Sequence, residues 1–194
     1  NPKSIEILVL ISKCLLALKD FKEAKGYLES ALRIEPNNIK LLKDIGNIYL
    51  ILNDTAKAKE FYLKTIDINK NYAPALTNLG ILELKSGNNN EALSFQIRAE
   101  KAEPNTPSIL GNLANAYFRN GQASKAEEII IKAINLDGNN INFKLLLSSI
   151  LSKLNKLDEA KNCIIEIIKI NQDKPELYLN LGRILIKQGN FKEA

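Results

Sequence analysis

The sequence lacks histidine, methionine and tryptophan, and it contains two cysteines in 194 residues. Histidine is the commonest general base and a frequent metal ligand, so its absence argues against both roles in this chain. Cys14 and Cys163 lie far apart in the sequence, which provides neither a disulfide framework nor a zinc-ligand spacing and favours a reducing compartment. We therefore expect no catalytic residue, no metal site and no cofactor.

Long apolar runs are also missing. No stretch approaches the roughly 18 to 20 apolar residues that span a bilayer, and no targeting signal stands near the start of the chain. These absences predict no membrane insertion and favour a cytoplasmic location. The net charge of +5 comes from 27 basic and 22 acidic residues, a mixture too balanced to indicate nucleic-acid binding. No phosphate-binding glycine loop and no nucleophile with a partnering base is present, so the sequence predicts that this segment is not an enzyme.

What the sequence does contain is an internal repeat of 34 residues without insertions or deletions. We number the places of each unit from Ile5 as place 1. Place 8 always holds a small residue, either Gly, Ala or Ser. Place 20 is alanine in every unit: Ala24, Ala58, Ala92, Ala126, Ala160 and Ala194.

Each unit shows two helical patterns separated by a break. Apolar residues recur at places 4, 7, 8 and 11, which marks one face of a first helix, and a second helical pattern follows. Residues that tolerate a left-handed backbone stand at place 15, and prolines suited to a first helical turn stand near the start of three units. The place 15 residues are Asn53, Gly87, Gly121, Asn155 and Gly189, and the prolines are Pro74, Pro107 and Pro175. An all-α array of helical hairpins is expected.

The 34-residue register assigns the whole chain to one array of repeats. Its units are 5–38, 39–72, 73–106, 107–140 and 141–174, with a partial unit at 175–194. Residues 1–4 fall on the last places of a preceding unit, and Ala194 falls inside a second helix. We expect the array to continue past both ends, and we expect uncapped ends to allow self-association.

These residues resemble the tetratricopeptide repeat. The resemblance rests on Leu42, Ile45, Gly46 and Tyr49 followed by Ala58 and Tyr62, and on Leu76, Leu79 and Gly80 followed by Ala92, Ala99 and Pro104. It implies a right-handed superhelical solenoid of antiparallel helix-turn-helix units, whose first helices line a concave groove that binds an extended peptide. The sequence departs from the family at place 4, which lacks the usual bulky aromatic residue, and at place 11 of the third unit, which is Glu83.

Places 2, 6, 9 and 13 lie opposite the apolar stripe and are candidate binding positions. Place 6 carries Asn78, Asn112 and Asn180, and a carboxamide can both donate to and accept from a peptide backbone. This row resembles the asparagine ladder of the O-linked N-acetylglucosamine transferases. The alternative is that a neighbouring first helix satisfies each amide internally.

Place 13 is basic in four successive units, and place 9 adds further polar residues that could reach an acidic ligand. The place 13 residues are Lys85, Arg119, Lys153 and Lys187, and the place 9 residues are Asn115 and Arg183. The alternative is that these cations only stabilise the ends of their helices.

Lys43, Asn47 and Asn78 resemble most of the carboxylate clamp with which some tetratricopeptide domains hold chaperone C-termini. The remaining basic pair of that clamp would fall on Ser108 and Asn112, and neither is basic.

The sequence thus predicts a protein–protein interaction scaffold that binds an extended peptide, possessing no chemistry of its own. Two alternatives stay open. The chain could be the substrate-recognition arm of a larger protein-modifying enzyme such as a glycosyltransferase, or an assembly factor that pairs with its own copies.

Overall fold

In a computed structural model, residues 4–191 are described, and all their regular secondary structure is helical. Eleven α-helices follow one another over this range with no strand between them. They are α1 (Ile5–Ala17), α2 (Phe21–Ile34), α3 (Ile39–Ile51), α4 (Thr55–Ile68), α5 (Ala73–Lys85), α6 (Asn89–Ala102), α7 (Pro107–Arg119), α8 (Ala123–Leu136), α9 (Ile141–Lys153), α10 (Leu157–Ile170) and α11 (Pro175–Lys187). The prediction of an all-α chain is confirmed.

Helix lengths repeat as regularly as the sequence does. The odd-numbered helices, which are the first helices of their hairpins, have 13 residues, and the even-numbered second helices have 14. Pro107 and Pro175 open α7 and α11, and Pro74 lies in the first turn of α5, as predicted. Asp20 and Asp54 accept hydrogen bonds from Glu23 N and Lys57 N, so their side chains cap α2 and α4. No helix among residues 4–191 is long and apolar enough to cross a membrane.

The residue at place 15 has a positive φ in all six turns that follow a first helix. The five residues predicted there include Asn53 at 61° and Gly121 at 82°. Lys19 at 62° is the sixth, and the sequence did not predict it because lysine has no preference for this backbone region. The left-handed residue allows backbone N–H groups after the helix to bond back to its last carbonyls, which ends the helix and turns the chain.

The described chain divides at Gly87 and Asn88 into two compact units. The first unit contains α1 to α5, and the second contains α6 to α11. Each unit is described separately below.

Places 3 and 10 are core positions that the predicted stripe at places 4, 7, 8 and 11 did not include. In the second unit, Phe143 and Ile150 of α9 cluster with Ile130 and Ala133 of the preceding hairpin's second helix, α8. Leu177 and Ile184 of α11 occupy the same two places and cluster with residues of α10. The buried face of a first helix is therefore wider than predicted, because it contacts both its own hairpin partner and the second helix before it.

The predicted stripe itself is mostly buried, with an exception at its end. Tyr178, at place 4 of α11, is 48% exposed. The register predicts that the second helix of this hairpin includes Ala194, which lies outside the described residues.

Close approach of helices explains the small residues. The five described alanines at place 20 are all completely buried: Ala24, Ala58, Ala92, Ala126 and Ala160. A Cβ added at Gly46 would lie 2.6 Å from the ring of Tyr62 on α4, so α3 and α4 pack closely only because Gly46 has no side chain. Gly111 has the same role toward the ring of Phe143, at 2.4 Å.

Polar bonds between successive hairpins repeat in the second unit. Asn120 donates to Asn90 Oδ1 at 2.6 Å, and Gln188 donates to Asp158 Oδ1 at 2.8 Å. Both bonds join place 14 of one hairpin to place 18 of the hairpin before it. Equivalent places therefore make equivalent surface contacts in two of these hairpins.

Candidate functional site

The eleven predicted site residues all lie on first helices, from α3 to α11. Six are half-buried, namely Lys43, Asn47, Asn78, Asn112, Asn115 and Asn180, and five are exposed, namely Lys85, Arg119, Lys153, Arg183 and Lys187. None is a fully buried core residue. Within each unit, we call the surface that carries the side chains at places 5, 6, 9 and 13 its first-helix face.

Asn47 is the centre of a hydrogen-bonded group in the first unit. Its Oδ1 accepts one bond from the Tyr62 hydroxyl at 2.6 Å and another from Asn78 Nδ2 at 2.9 Å. Tyr62 is completely buried beneath Gly46, so its hydroxyl is fixed in place. The sequence pointed to Asn47 and Asn78 but gave no reason to connect them to Tyr62, which is one of the family's core positions.

The two donors determine which way the Asn47 amide points. Burial raises the pKa of Tyr62 and outweighs a side-chain hydrogen bond with Asn78 that lowers it, while the nearby Asp44 carboxylate raises it further. The phenol therefore remains a proton donor at neutral pH. With its oxygen occupied by two donors, Asn47 retains its Nδ2 group as a donor, while Asn78 retains its oxygen as an acceptor. A peptide group needs one acceptor and one donor in return, and this pair offers both. The alternative that a neighbouring first helix satisfies the amide internally holds for one N–H of Asn78, which donates to Asn47 on α3.

The positive charge predicted at Lys43 is locally balanced. The Lys43 ammonium contacts the Asp44 carboxylate beside it on α3. The first helices of the first unit carry four basic and three acidic residues in total. At places 5, 6, 9 and 13 of these helices, one acidic residue, Asp44, stands among three basic ones, so this part of the first-helix face is polar and only modestly positive.

Glu83 accounts for one departure from the family pattern. Its side chain is only 2% exposed, and one of its carboxylate oxygens lies 2.6 Å from the ammonium of Lys59 on α4. A charged residue is tolerated at this buried place because α4 supplies a cation.

In the second unit, Asn180, Arg183 and Lys187 lie together around a pocket of about 210 Å³ between α9, α10 and α11. Ser148, Ser149 and Ser152 of α9 form its other polar wall, and Ile164 and Ile184 complete the lining. These serines are not among the residues predicted from the sequence. The signal for them was hydroxyl residues at places 8, 9 and 12 of one helix, which lie within about one turn of each other.

The four cations at place 13 occupy the last turns of their helices, where the negative end of the helix dipole favours them. Lys187 additionally donates to Ser152 Oγ at 3.0 Å and lines the pocket. Lys153 and Arg119 are exposed at the ends of α9 and α7, and Asn112 and Asn115 lie earlier on α7.

Charge in the second unit is segregated between the two kinds of helix. The first helices α7, α9 and α11 carry five basic residues and one acidic residue, Glu176. The second helices α6, α8 and α10 carry six basic and seven acidic residues. The charged residues on the first-helix face of this unit are all basic: Arg119, Lys153, Arg183 and Lys187.

Comparisons with known proteins agree on the kind of repeat. Two models, both described as tetratricopeptide repeat, match residues 15–79 and 175–194. This chain is a tetratricopeptide repeat protein. A model described as anaphase-promoting complex, cyclosome, subunit 3, matches residues 71–167 of the repeat array. No curated protein has a significant sequence match to the chain.

Solved tetratricopeptide repeat structures share the fold at low sequence identity. A tetratricopeptide repeat protein of Parabacteroides merdae is 19% identical with a TM-score of 0.81, over 96% of this chain and 74% of that one. PilF of Pseudomonas aeruginosa is 18% identical with a TM-score of 0.82, over 98% and 86%. YrrB, whose structure is described as having an unusual peptide-binding site, is 15% identical with a TM-score of 0.73, over 94% of both chains. The predicted fold class, a solenoid of helix-turn-helix repeats, is confirmed.

The family assignment also bears on chemistry. Tetratricopeptide repeat proteins are generally non-catalytic scaffolds, and the repeats and their structural neighbours support a protein–protein interaction role here. Within residues 4–191, no three His, Cys, Asp or Glu side chains are grouped so that they could hold a metal ion. Cys14 is exposed and Cys163 is half-buried, and both are free thiols.

Proposed function

We propose that this chain is a protein–protein interaction scaffold that binds an extended segment of a partner protein along its first-helix face. The observation that carries the proposal is the fixed orientation of Asn47. A buried phenol and a second carboxamide hold its oxygen, so the Asn47 N–H donor and the Asn78 oxygen acceptor need no reordering when a peptide group binds. A surface whose amides served only solvation would not require such support from the core.

The proposed partner segment is acidic where it meets the second unit. Five of the six charged residues on α7, α9 and α11 are basic, and an opposite charge on the partner would speed association and fix its register. Toward the first unit, where Asp44 pairs with Lys43, we propose that hydrogen bonds to the partner's backbone make the main contribution.

Site-specific photo-cross-linking tests which face binds. A photoreactive amino acid is placed at Ile51 or Ser149 on first helices, and at Leu63 or Ile131 on second helices as matched exposed controls. We expect both first-helix positions to cross-link to the same partner protein in cells, with little cross-linking from the controls. Equal or stronger cross-linking from Leu63 and Ile131 would overturn the proposal.

Once a partner segment is identified, Asn47→Ala should weaken its binding by about twofold to tenfold, the effect of one or two lost hydrogen bonds. Asn162→Ala serves as the control, because Asn162 is an exposed carboxamide on the second helix α10.

A second candidate is that the same face presents protein substrates to a modifying enzyme, such as a glycosyltransferase, of which this array is the recognition arm. Asn78, Asn112 and Asn180 favour it, because they occupy the same place on three first helices. Mass spectrometry of the cross-linked partner tests this candidate. A sugar or other covalent group added to the partner only when Asn78, Asn112 and Asn180 are intact would support it.

A further inference from the structure

We propose that the pocket between α9, α10 and α11 is an oxyanion subsite, which takes the anionic side chain of a bound protein segment. The inference rests on the proposed function, and it names a site and a ligand class within it. We call this pocket the α9–α11 pocket; its lining residues are Ser148, Ser149, Ser152, Ile164, Asn180, Arg183, Ile184 and Lys187.

The charge of the lining indicates an anion. Arg183 and Lys187 are both exposed cations, and none of the described residues that line the pocket is acidic. This differs from the first unit, where Lys43 is balanced by Asp44. Neither cation forms an ion pair with a carboxylate among residues 4–191. Such a pair of cations favours an oxyanion, and a doubly charged phosphoryl group matches them more closely than a singly charged carboxylate.

Hydrogen bonds within the pocket orient its donors. Lys187 donates to Ser152 Oγ, so the Ser152 hydroxyl proton is directed away from the ammonium and is free to donate to a ligand. Ser148 and Ser149 instead donate to the carbonyls of Ala160 and Leu145. The donors left for a ligand are therefore those of Ser152, Asn180, Arg183 and Lys187.

The floor of the pocket favours a side chain over a free ion. Ile164 and Ile184 are almost completely buried and present an apolar surface beneath the polar rim. A ligand with a short hydrocarbon stem and a terminal oxyanion would contact both surfaces, as a glutamate or a phosphorylated serine or threonine would. The shared chemistry is an oxyanion on a polypeptide, and the experiment separates carboxylate from phosphoryl.

The first experiment uses small anions alone. Binding of inorganic phosphate and of acetate to the full chain is followed through the side-chain NMR signals of Asn180 and Arg183, with chloride held constant. We expect phosphate to bind more tightly than acetate. Arg183→Gln and Lys187→Ala should each weaken phosphate binding by about tenfold or more, because a charge-assisted hydrogen bond is lost.

Lys169→Ala is the matched control, since it removes one exposed cation from α10 outside the pocket. Equal phosphate affinity in the wild type, the control and both pocket variants would overturn the proposal. A lower melting temperature for Lys187→Ala with unchanged phosphate affinity would also overturn it, because the cation would then serve only the end of its helix. Ser152→Ala provides a further variant with little risk to folding, and we expect it to weaken binding.

The second experiment uses three peptides that differ only in one residue, which is serine, glutamate or phosphoserine. We expect the serine peptide to bind weakest and Arg183→Gln to abolish the differences among the three. Indistinguishable affinity of the three peptides for the wild-type chain would overturn the subsite. Cross-linking that fails on the first-helix face while phosphate still binds at Arg183 would reject the proposed function and leave the oxyanion site intact.

Discussion

Asn78 on α5 donates a side-chain hydrogen bond to Asn47 on α3 across 2.9 Å, which joins the first helices of two successive hairpins. The buried hydroxyl of Tyr62 on α4 donates to the same oxygen at 2.6 Å. Three helices thus meet at one carboxamide on the candidate binding face. The core residue Tyr62 is thereby connected to the surface, and changes beneath Asn47 should affect both stability and binding.

Gly46 provides the first test of this arrangement. Gly46→Ala would place a Cβ 2.6 Å from the Tyr62 ring, so we expect the free energy of unfolding to fall by roughly 1–3 kcal/mol. Gly26→Ala on α2 is the control, because a Cβ there meets nothing within 4 Å. That substitution should stabilise the protein by about 0.5–1 kcal/mol through lower chain entropy in the unfolded state. Denaturant unfolding measures both, and a stabilising Gly46→Ala would contradict the close packing.

Lys19 tests the turn geometry. Its φ of 62° is costly for a residue with a Cβ, whereas the equivalent positions in three other turns are glycines. We expect Lys19→Gly to raise the free energy of unfolding by about 0.5–1 kcal/mol. Lys22→Gly, in the first turn of α2, should instead lower it, by up to about 1 kcal/mol. The same sign for both substitutions in a thermal or denaturant melt would show that Lys19 is not strained.

The pair between Lys59 and Glu83 makes a prediction about stability. Lys59→Ala removes a cation 2.6 Å from a carboxylate that is 2% exposed, so we expect a loss of about 1–3 kcal/mol, reduced by the solvent exposure of Lys59. Adding Glu83→Leu should restore most of this loss in stability, because leucine is the residue at the equivalent place 11 in two other units, Leu15 and Leu151. Lys64→Ala, which removes an exposed pair with Glu60, should cost no more than about 0.5 kcal/mol. A double variant as unstable as Lys59→Ala alone would refute this account.

The raised pKa of Tyr62 predicts that the free energy of unfolding depends on pH in the alkaline range. Its pKa is raised above the ordinary value of 10.0, so the folded chain holds this proton more tightly than the unfolded chain does. This contribution to stability is complete below about pH 10 and is lost as the pH rises through the raised pKa. Tyr62→Phe lacks the contribution, so its stability should fall less steeply in that range.

Ultraviolet titration of tyrosinate gives an independent measurement of the same pKa. We expect a late-ionising tyrosine in the wild type that disappears in Tyr62→Phe. An unchanged set of ionisations in the variant would mean that the late group is another tyrosine. Tyr178→Phe is the control, since Tyr178 is 48% exposed.

Individual residues show which features of the fold could be predicted from the sequence. The alanines at place 20 and the turn residues at place 15 follow a strict period, and a period over several units has few structural explanations. The left-handed backbone at Lys19 was not predicted, because lysine does not favour the conformation that place 15 requires. Phe143 and Ile150 were not predicted as core residues, because their contacts come from α8 of the preceding hairpin. The apolar pattern within one hairpin does not show which residues contact the hairpin before it.

The candidate site was predictable as a face but not as a set of contacts. The period of 34 and the helical repeat placed Asn47, Asn78, Asn180 and Arg183 on one side of their helices, because side-chain direction is fixed by the helix itself. The chain's sequence by itself thus determined the repeat, the helices and the exposed stripe. Only the tertiary structure joined Tyr62 to Asn47 and Ser152 to Lys187, because those pairs lie on different helices and hydrogen bonds depend on distances of a few ångströms that no periodic pattern specifies.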